Sequence, residues 1–164
     1  MNIWRGRHTF MAPFHRGFGA MGGMVDVSGK PDVPRRAVAS GELVLQRHTI
    51  EAIRAGTIEK GEVLESAKVA ALHAAKRVSD ALPYTHPIPI TATTPRLEVK
   101  DDRLVVTVEV KATYKTGVEM EALYACAVAL LTAWDMVKKH EKDEGGQYPF
   151  ARIQNIRVLE KEKG

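Results

Sequence analysis

Residues 113–142, TYKTGVEMEALYACAVALLTAWDMVKKHEK, predict the longest helix of the chain. Thr116 and Glu119 have the spacing of a capping box, in which two side chains satisfy free N–H groups at a helix N-terminus. The following residues are rich in Ala, Leu and Met without Gly or Pro, and residues 138–140 (KKH) place cations where a helix C-terminus favours them. We therefore expect a helix over about residues 117–140.

Asp135 interrupts the apolar part of this helix. At about 100° per residue, it shares one face with Glu121 and Lys138. An exposed Asp135 paired with Lys138 or Lys139 would stabilise the helix by only a few tenths of a kcal/mol. Alternatively, the carboxylate and an ammonium group one turn away face a cleft and act on a ligand. The spacing leaves both interpretations open.

Length and composition limit the class of protein. The 164 residues suit one domain, and 45% hydrophobic with 27% charged residues is typical of a soluble globular protein. Charges break the apolar runs before about 18 residues, so we expect no membrane span. The single cysteine, Cys126, cannot form an internal disulfide, which favours a cytoplasmic protein. The net charge of +4 favours an anionic partner, with nucleic acid and phosphorylated metabolites both open.

The two ends of the chain differ in composition. Residues 1–23 contain five Gly and three Met without periodicity. Such a segment has little to pack, so we expect a flexible N-terminal tail. We expect residues 24–164 to form a single domain.

The rest of the chain alternates between strand and helix patterns. The predicted strands cover residues 35–46, 88–100, 103–115 and 152–159, and two further helices cover residues 49–55 and 62–81. Gly41 inside the first strand predicts a bulge or the close approach of another segment. This order predicts an α+β, ferredoxin-like fold, with a four-stranded antiparallel sheet, two long helices on one face and a short extra helix. The fold serves enzymes, RNA-binding modules and regulatory domains alike.

The sequence lacks the motifs of several common nucleotide-binding, redox and metal sites. The sequence has no phosphate-binding loop, no G-x-G-x-x-G, no paired C-x-x-C and no H-E-x-x-H. We expect no metal site, because the histidines are isolated and Cys126 falls opposite Asp135 on the helix. An RNA-reading sheet would need aromatic residues, and residues 104–110 (LVVTVEV) have none. The remaining polar groups suit general acid–base chemistry on an anionic substrate: Lys60, His86, Glu119, Glu121, Asp135 and Lys138.

Five ordered blocks resemble one known family. They are MVDVS at 24–28, KGEVLESAKVAALHAAKR at 60–77, LPYTHP at 82–87, KTGVEMEAL at 115–123 and DMVKK at 135–139. Together they resemble the cyclic pyranopterin monophosphate synthase family, the molybdenum cofactor biosynthesis protein C, over about residues 24–156. The resemblance implies a lyase that converts (8S)-3′,8-cyclo-7,8-dihydroguanosine 5′-triphosphate to cyclic pyranopterin monophosphate and pyrophosphate. It also implies a ferredoxin-like homohexamer, a trimer of dimers, with sites near the dimer interfaces.

The same resemblance assigns roles to individual residues. It makes Asp135 the acid or base of the active site, Lys138 its partner and Lys60 a second essential lysine. The positions that it implies for substrate contact are Tyr84, Thr85, His86, Glu119, Met120 and Glu121, with Lys30 and Arg35 in a mobile loop near the phosphates.

The chain departs from the family pattern at two places. The family often has Cys before the loop histidine, whereas this chain has Thr85. Many members end in a Gly-Lys-Ser-rich tail, whereas this chain ends in LEKEKG, where Lys161 and Lys163 could supply the cations.

Two other functions stay open at this point. A basic ferredoxin-like nucleic-acid-binding module would bind any long polyanion with a steep salt dependence. A non-catalytic nucleotide-binding regulatory domain would not need its carboxylates. The resemblance favours a small-molecule substrate, without nucleic acid or membrane as a partner. It implies no resident cofactor, although a divalent ion could accompany the triphosphate.

Overall fold

The computed structural model describes residues 22–164, so the predicted tail lies almost entirely outside the described residues. The elements in chain order are β1 (Val33–Val44), α1 (Arg47–Ala55), α2 (Val63–Ala75), α3 (Val78–Ala81), β2 (Ile90–Val99), β3 (Arg103–Tyr114), α4 (Glu119–Glu141) and β4 (Arg152–Lys163).

The four strands form one antiparallel sheet in the order β2-β3-β1-β4. Alternate residues of the central strand β3, from Leu104 to Val110, are fully buried on the face that packs against α4. Strands β2 and β3 are joined by a tight turn in which the Lys100 N–H donates to the Arg103 carbonyl at 2.8 Å. The predicted ferredoxin-like α+β fold is therefore confirmed.

Gly41 is a point of close approach between α4 and the sheet. A Cβ atom there would lie 2.8 Å from Leu130 Cδ1 of α4 and 2.8 Å from Ile156 Cγ1 of β4. The pairing of β1 with β4 also shifts register between Ser40 and Glu42. Both alternatives predicted for Gly41, a bulge and the close approach of another segment, are confirmed.

The predicted capping box at the start of α4 is wrong. The helix begins at Glu119 with Val118 as its N-cap, and no side-chain cap hydrogen bond forms within the described part of the chain. The Glu119 carboxylate instead pairs with the Lys161 ammonium group of β4. The carboxylate lies against Gly117, and its partner is a cation rather than a backbone N–H group.

The predicted helix over residues 62–81 is wrong in its length. It divides into α2 and the short α3, which carries the buried Val78. At the end of α2, the N–H groups of Lys76 and Arg77 donate to the carbonyl oxygens three residues earlier, at 3.3 and 3.0 Å. Such bonds tighten and end a helix.

Among the described residues, α4 is long and apolar enough to cross a membrane by length and composition alone. This differs from the expectation that charges break every apolar run. Half of its apolar stretch is buried inside the fold. Because its buried side packs on β1 and β3, the core accounts for the apolar residues of α4.

Candidate active site

Asp135 lies between two lysines near the C-terminal end of α4. Lys60 Nζ donates to Asp135 Oδ2 at 2.6 Å, and Lys138 Nζ donates to Asp135 Oδ1 at 2.7 Å. Lys60 also donates to the main-chain carbonyl of Asp135 at 3.0 Å. The pairing with Lys138 follows from their spacing in the helix. The contact with Lys60 joins two segments that are 75 residues apart in the chain.

The two ammonium groups control the charge of Asp135. Hydrogen bonds from Lys138 and then Lys60 hold the pKa of Asp135 at about 2, and the same carboxylate raises the pKa of Lys138. The Asp135 side chain is 55% exposed. It is therefore an ionised proton acceptor that a ligand can reach.

Lys60 is held on a tight turn between α1 and α2. The Gly61 N–H donates to the Ile58 carbonyl at 3.0 Å, and Gly61 has a φ of 97°, which favours glycine. Ile58 is buried and anchors the turn on the core. The preceding residue, Glu59, accepts two hydrogen bonds from Lys139 Nζ at 2.7 and 2.9 Å.

A cavity of about 330 Å³ lies at the other end of α4. It is formed by the first turn of α4, the loop after α3 and the segment that precedes β1. The predicted site residues that line it are Lys30, Tyr84, Thr85, His86, Met120 and Glu121.

Glu121 is the buried carboxyl group of this cavity. It is only 3% exposed, and its Oε2 atom has no hydrogen-bond partner among the described residues. Burial, aided by the negative charge of Glu119, raises the pKa of Glu121 to about 7. Near neutral pH, the group therefore exists both as a carboxylic acid and as a carboxylate.

His86 closes one side of the cavity. Its Nε2 atom lies 2.8 Å from the Val25 carbonyl oxygen, and because that oxygen can only accept, Nε2 carries the proton in this contact. The carbonyl of Ser28, in the same segment, accepts from Lys115 Nζ at 2.9 Å. The Thr85 hydroxyl donates to the Leu82 carbonyl at 2.8 Å, so it stabilises the loop.

Two predicted site residues, Arg35 and Glu119, belong neither to the lining of this cavity nor to the Asp135 group. Arg35 was expected in a mobile loop, but it belongs to β1, and its guanidinium group donates to the carbonyls of Tyr114 and Lys115 at 3.2 and 3.1 Å. The loop assignment, which came from the resemblance, is wrong, whereas the strand predicted from the sequence pattern over residues 35–46 did include Arg35. Glu119 pairs with Lys161 beside the cavity.

Apart from Arg35, the predicted site residues form two separate groups. One surrounds Glu121 and the other surrounds Asp135, and fourteen residues of α4 separate them. At 1.5 Å per residue this is about 21 Å. Within one chain, the two groups therefore lie at opposite ends of the same helix.

Several residues that line the cavity were missed by the sequence analysis. Val25 and Val27 contribute from the segment before β1, and Thr116 and Gly117 contribute from the turn before α4. All four lie inside the MVDVS and KTGVEMEAL blocks, so the blocks themselves were the available signal.

Neither end of α4 has the ligands of a metal site. Within residues 22–164, no group of three or more His, Cys, Asp or Glu side chains is arranged to hold a metal ion. Cys126 is buried, and burial raises the pKa of its thiol to about 12.

Comparison with known proteins adds independent information. The MoaC family model matches residues 24–164. A protein of Thermococcus kodakarensis named "Probable cyclic pyranopterin monophosphate synthase" is 53% identical over 86% of this chain and 90% of its own length. Proteins of the same name from Methanosarcina acetivorans and Sulfolobus acidocaldarius are 55% and 52% identical, over 86% and 85% of this chain and 89% and 98% of their own lengths. The chain therefore belongs to the MoaC family.

Proposed function

We propose that the protein is a cyclic pyranopterin monophosphate synthase, a lyase of molybdenum cofactor biosynthesis. Its substrate is the cyclised GTP derivative (8S)-3′,8-cyclo-7,8-dihydroguanosine 5′-triphosphate, and its products are cyclic pyranopterin monophosphate and pyrophosphate. The observation that carries the proposal is the ionised Asp135 carboxylate between Lys60 and Lys138. Family membership supplies the identity of the substrate.

The chemistry requires cations and a proton acceptor close together. To form a cyclic monophosphate from a triphosphate, a hydroxyl oxygen attacks the α-phosphorus while pyrophosphate leaves, and the hydroxyl proton must go to a base. When substrate binds, the ammonium groups of Lys60 and Lys138 can donate to the phosphate oxygens instead of to Asp135. Because their hydrogen bonds to Asp135 keep its pKa low, the loss of those bonds makes the carboxylate a stronger base when substrate is present.

The reaction as proposed requires no redox step and no resident cofactor. A divalent ion can enter with the triphosphate and neutralise part of its charge. The substrate-contact roles go to the cavity at the first turn of α4, where Tyr84, Met120 and Glu121 offer an aromatic, an apolar and a carboxyl surface to the pterin. Lys30 provides the positive charge in that cavity.

The separation of the two groups supports a site shared between two chains. One ligand cannot contact the Glu121 cavity and the Asp135 group of the same chain if about 21 Å of helix separates them. We propose a homohexamer, a trimer of dimers, in which the Asp135 end of one copy meets the cavity of another. In a two-fold interface each pair of chains then forms two such sites.

Incubation with the cyclised GTP precursor tests the activity. We expect the parent protein to release pyrophosphate and the Asp135→Asn variant to release at least about a hundredfold less. The Glu65→Gln variant is the matched control, because it removes an exposed ion pair with Lys68 on α2. Binding without turnover by the parent would favour a regulatory domain. Salt-sensitive binding of any long polyanion, also without turnover, would favour a nucleic-acid-binding module.

Subunit mixing tests the shared site. Asp135→Asn and His86→Ala carry their defects at opposite ends of α4, so a dimer of one copy of each has one intact site if sites are shared. Equal mixing with random exchange should then restore about a quarter of the parent activity. No restoration, or sedimentation as a fully active monomer, would show that each chain holds a complete site.

We also propose a cytoplasmic location. The thiol of Cys126 is free and buried, and a substrate derived from GTP is made inside cells. Fractionation of the native host would test this assignment.

A further inference from the structure

Two ion pairs of opposite polarity connect the turn that carries Lys60 to α4. Glu59 pairs with Lys139, and the adjacent Lys60 pairs with Asp135. Asp135 and Lys139 are four residues apart, so they lie on the same face of α4 one turn from each other. Two neighbouring turn residues therefore meet two neighbouring helix residues, and each meets a partner of opposite charge.

This arrangement favours one register of the turn along α4. If the turn moved along α4 by one helical turn, the Glu59 carboxylate would face the Asp135 carboxylate. Like charges at this distance repel, so the Glu59 pair disfavours the shifted position. The pair thus favours the position in which the Lys60 ammonium group reaches Asp135.

The backbone alone does not determine where the Lys60 side chain ends. The turn is anchored by Ile58 in the core and by the hydrogen bond from the Gly61 N–H to the Ile58 carbonyl. Its corner, at Glu59 and Lys60, projects into solvent, and the Lys60 side chain is 49% exposed. A lysine side chain has a flexible four-carbon stem. A second contact at the corner therefore restricts the positions that the ammonium group can take.

We propose that Glu59 and Lys139 are positioning residues for Lys60, whose bidentate ion pair holds the corner of the turn against α4. In this position the Lys60 ammonium group stays within hydrogen-bonding distance of Asp135 while a substrate phosphate competes for it. This role rests on the proposed function. Neither residue lines the cavity or contacts the Asp135 carboxylate.

The pair should matter for rate much more than for stability. The Glu59 and Lys139 side chains are 65% and 72% exposed, and exposed ion pairs contribute little to folding. A displacement of about 1 Å in a catalytic group can lower a rate by up to about a hundredfold. This contrast separates a positioning role from an ordinary surface contact.

Kinetics of matched variants test the proposal. We expect Glu59→Gln and Lys139→Met to lower kcat by about tenfold, with smaller changes in KM and in thermal midpoint. Lys139→Arg keeps a bidentate donor and should retain kcat within about threefold of the parent. Glu65→Gln, which removes an ion pair on α2, should behave as the parent. Glu59→Gln with unchanged kcat would overturn the proposal.

A titration that does not require turnover gives an independent result. The charged groups that face the Asp135 carboxylate are Lys60 from the turn and Lys138 from α4, with Tyr148 near Lys138 and His140 near Glu59. If Glu59→Gln releases Lys60, Asp135 loses one of its two ammonium partners and its pKa rises. Carbon-13 NMR of the Asp135 carboxyl group measures this shift.

The two results distinguish this proposal from the proposed function. A parent protein without turnover would contradict the proposed function, and the NMR titration would still decide whether Glu59 positions Lys60. An Asp135 pKa equal to that of the parent in Glu59→Gln would overturn the positioning role, whatever the activity.

Discussion

Helix α4 carries two carboxyl groups whose pKa values move in opposite directions. Glu121, in its first turn, is buried and has a pKa of about 7, whereas Asp135, near its other end, is exposed between two lysines and has a pKa of about 2. Fourteen residues at 100° each bring the two groups to nearly the same face of the helix. One helix thus presents a proton acceptor at one end and a carboxyl group that can hold a proton at the other.

The difference shows which physical effect dominates at each end. At Glu121, loss of solvent disfavours the charged form, and this effect exceeds the stabilisation from a backbone hydrogen bond. At Asp135, hydrogen bonds from Lys138 and Lys60 exceed a small desolvation effect. Pairs of groups with separated pKa values are typical of acid–base sites.

The largest effect should come from Asp135→Asn. We expect turnover to fall at least about a hundredfold, because a positioned acid or base contributes about 10²- to 10⁴-fold to a rate. The thermal midpoint should stay close to that of the parent, because Asp135 is exposed. Pyrophosphate release and thermal unfolding measure the two quantities. Lys138→Ala should lose turnover and also some affinity for a triphosphate ligand, since it removes a cation.

Turnover of Asp135→Asn within a few-fold of the parent would contradict the catalytic assignment. Asp135 would then be only an ion-pair partner on the helix surface, and the contrast between the two ends of α4 would have no role in catalysis.

Glu121→Gln should have a smaller effect on turnover and a pH-dependent effect on stability. Glutamine keeps a hydrogen-bond donor like that of the neutral carboxyl group, so we expect a loss of less than about tenfold near neutral pH, and a larger loss in Glu121→Ala.

The sign of the stability effect follows from the raised pKa. Between pH 4.5 and about 7, folded Glu121 keeps a proton that the unfolded chain has released, so the free energy of unfolding falls as the pH rises. Glu121→Gln lacks this loss. Relative to the parent, its thermal midpoint should therefore rise over this window and then stay level. If the difference in thermal midpoint between Glu121→Gln and the parent stays the same from pH 4.5 to 8, Glu121 is ionised in the folded protein over this range.

Gly41→Ala tests the contact between the middle of α4 and the sheet. The added methyl group would meet Leu130, which is fully buried, and Ile156, which is partly exposed and can move. Overpacking of this kind typically costs about 1–3 kcal/mol. Chemical denaturation should show this loss, whereas Gly145→Ala, which meets only a flexible Asp143 side chain at 3.4 Å, should lie within about 0.5 kcal/mol of the parent. Equal stability of the two variants would mean that α4 can move away from the sheet without cost.

The sequence predicted elements better than contacts between them. The periodicity of β3 and the composition of α4 located both elements within two residues, because their patterns extend over many positions. The capping box failed because Lys161, 42 residues after Glu119, competes for the carboxylate. Local spacing contains no information about such a distant partner.

The candidate site shows the same limit. The pairing of Asp135 with Lys138 follows from one helical turn, but the contact with Lys60 depends on how the α1–α2 turn packs on α4. The resemblance identified Lys60 as an essential lysine but did not predict its hydrogen bond to Asp135. It assigned no role to Glu59 or Lys139, and the burial that raises the pKa of Glu121 became visible only in the folded chain.

Deletion of residues 1–20 should have the smallest effect of all. The tail remains a prediction from composition, since the described residues begin at 22. The segment that borders the Glu121 cavity begins at Val25 and is held by its own contacts with His86 and Lys115, and the Asp135 group lies at the opposite end of α4. We therefore expect the shortened chain to keep its thermal midpoint, its kcat and its KM. A rise in KM alone would place the tail at the cavity end of the helix, whereas a loss of folding would show that the tail is an ordered part of the protein.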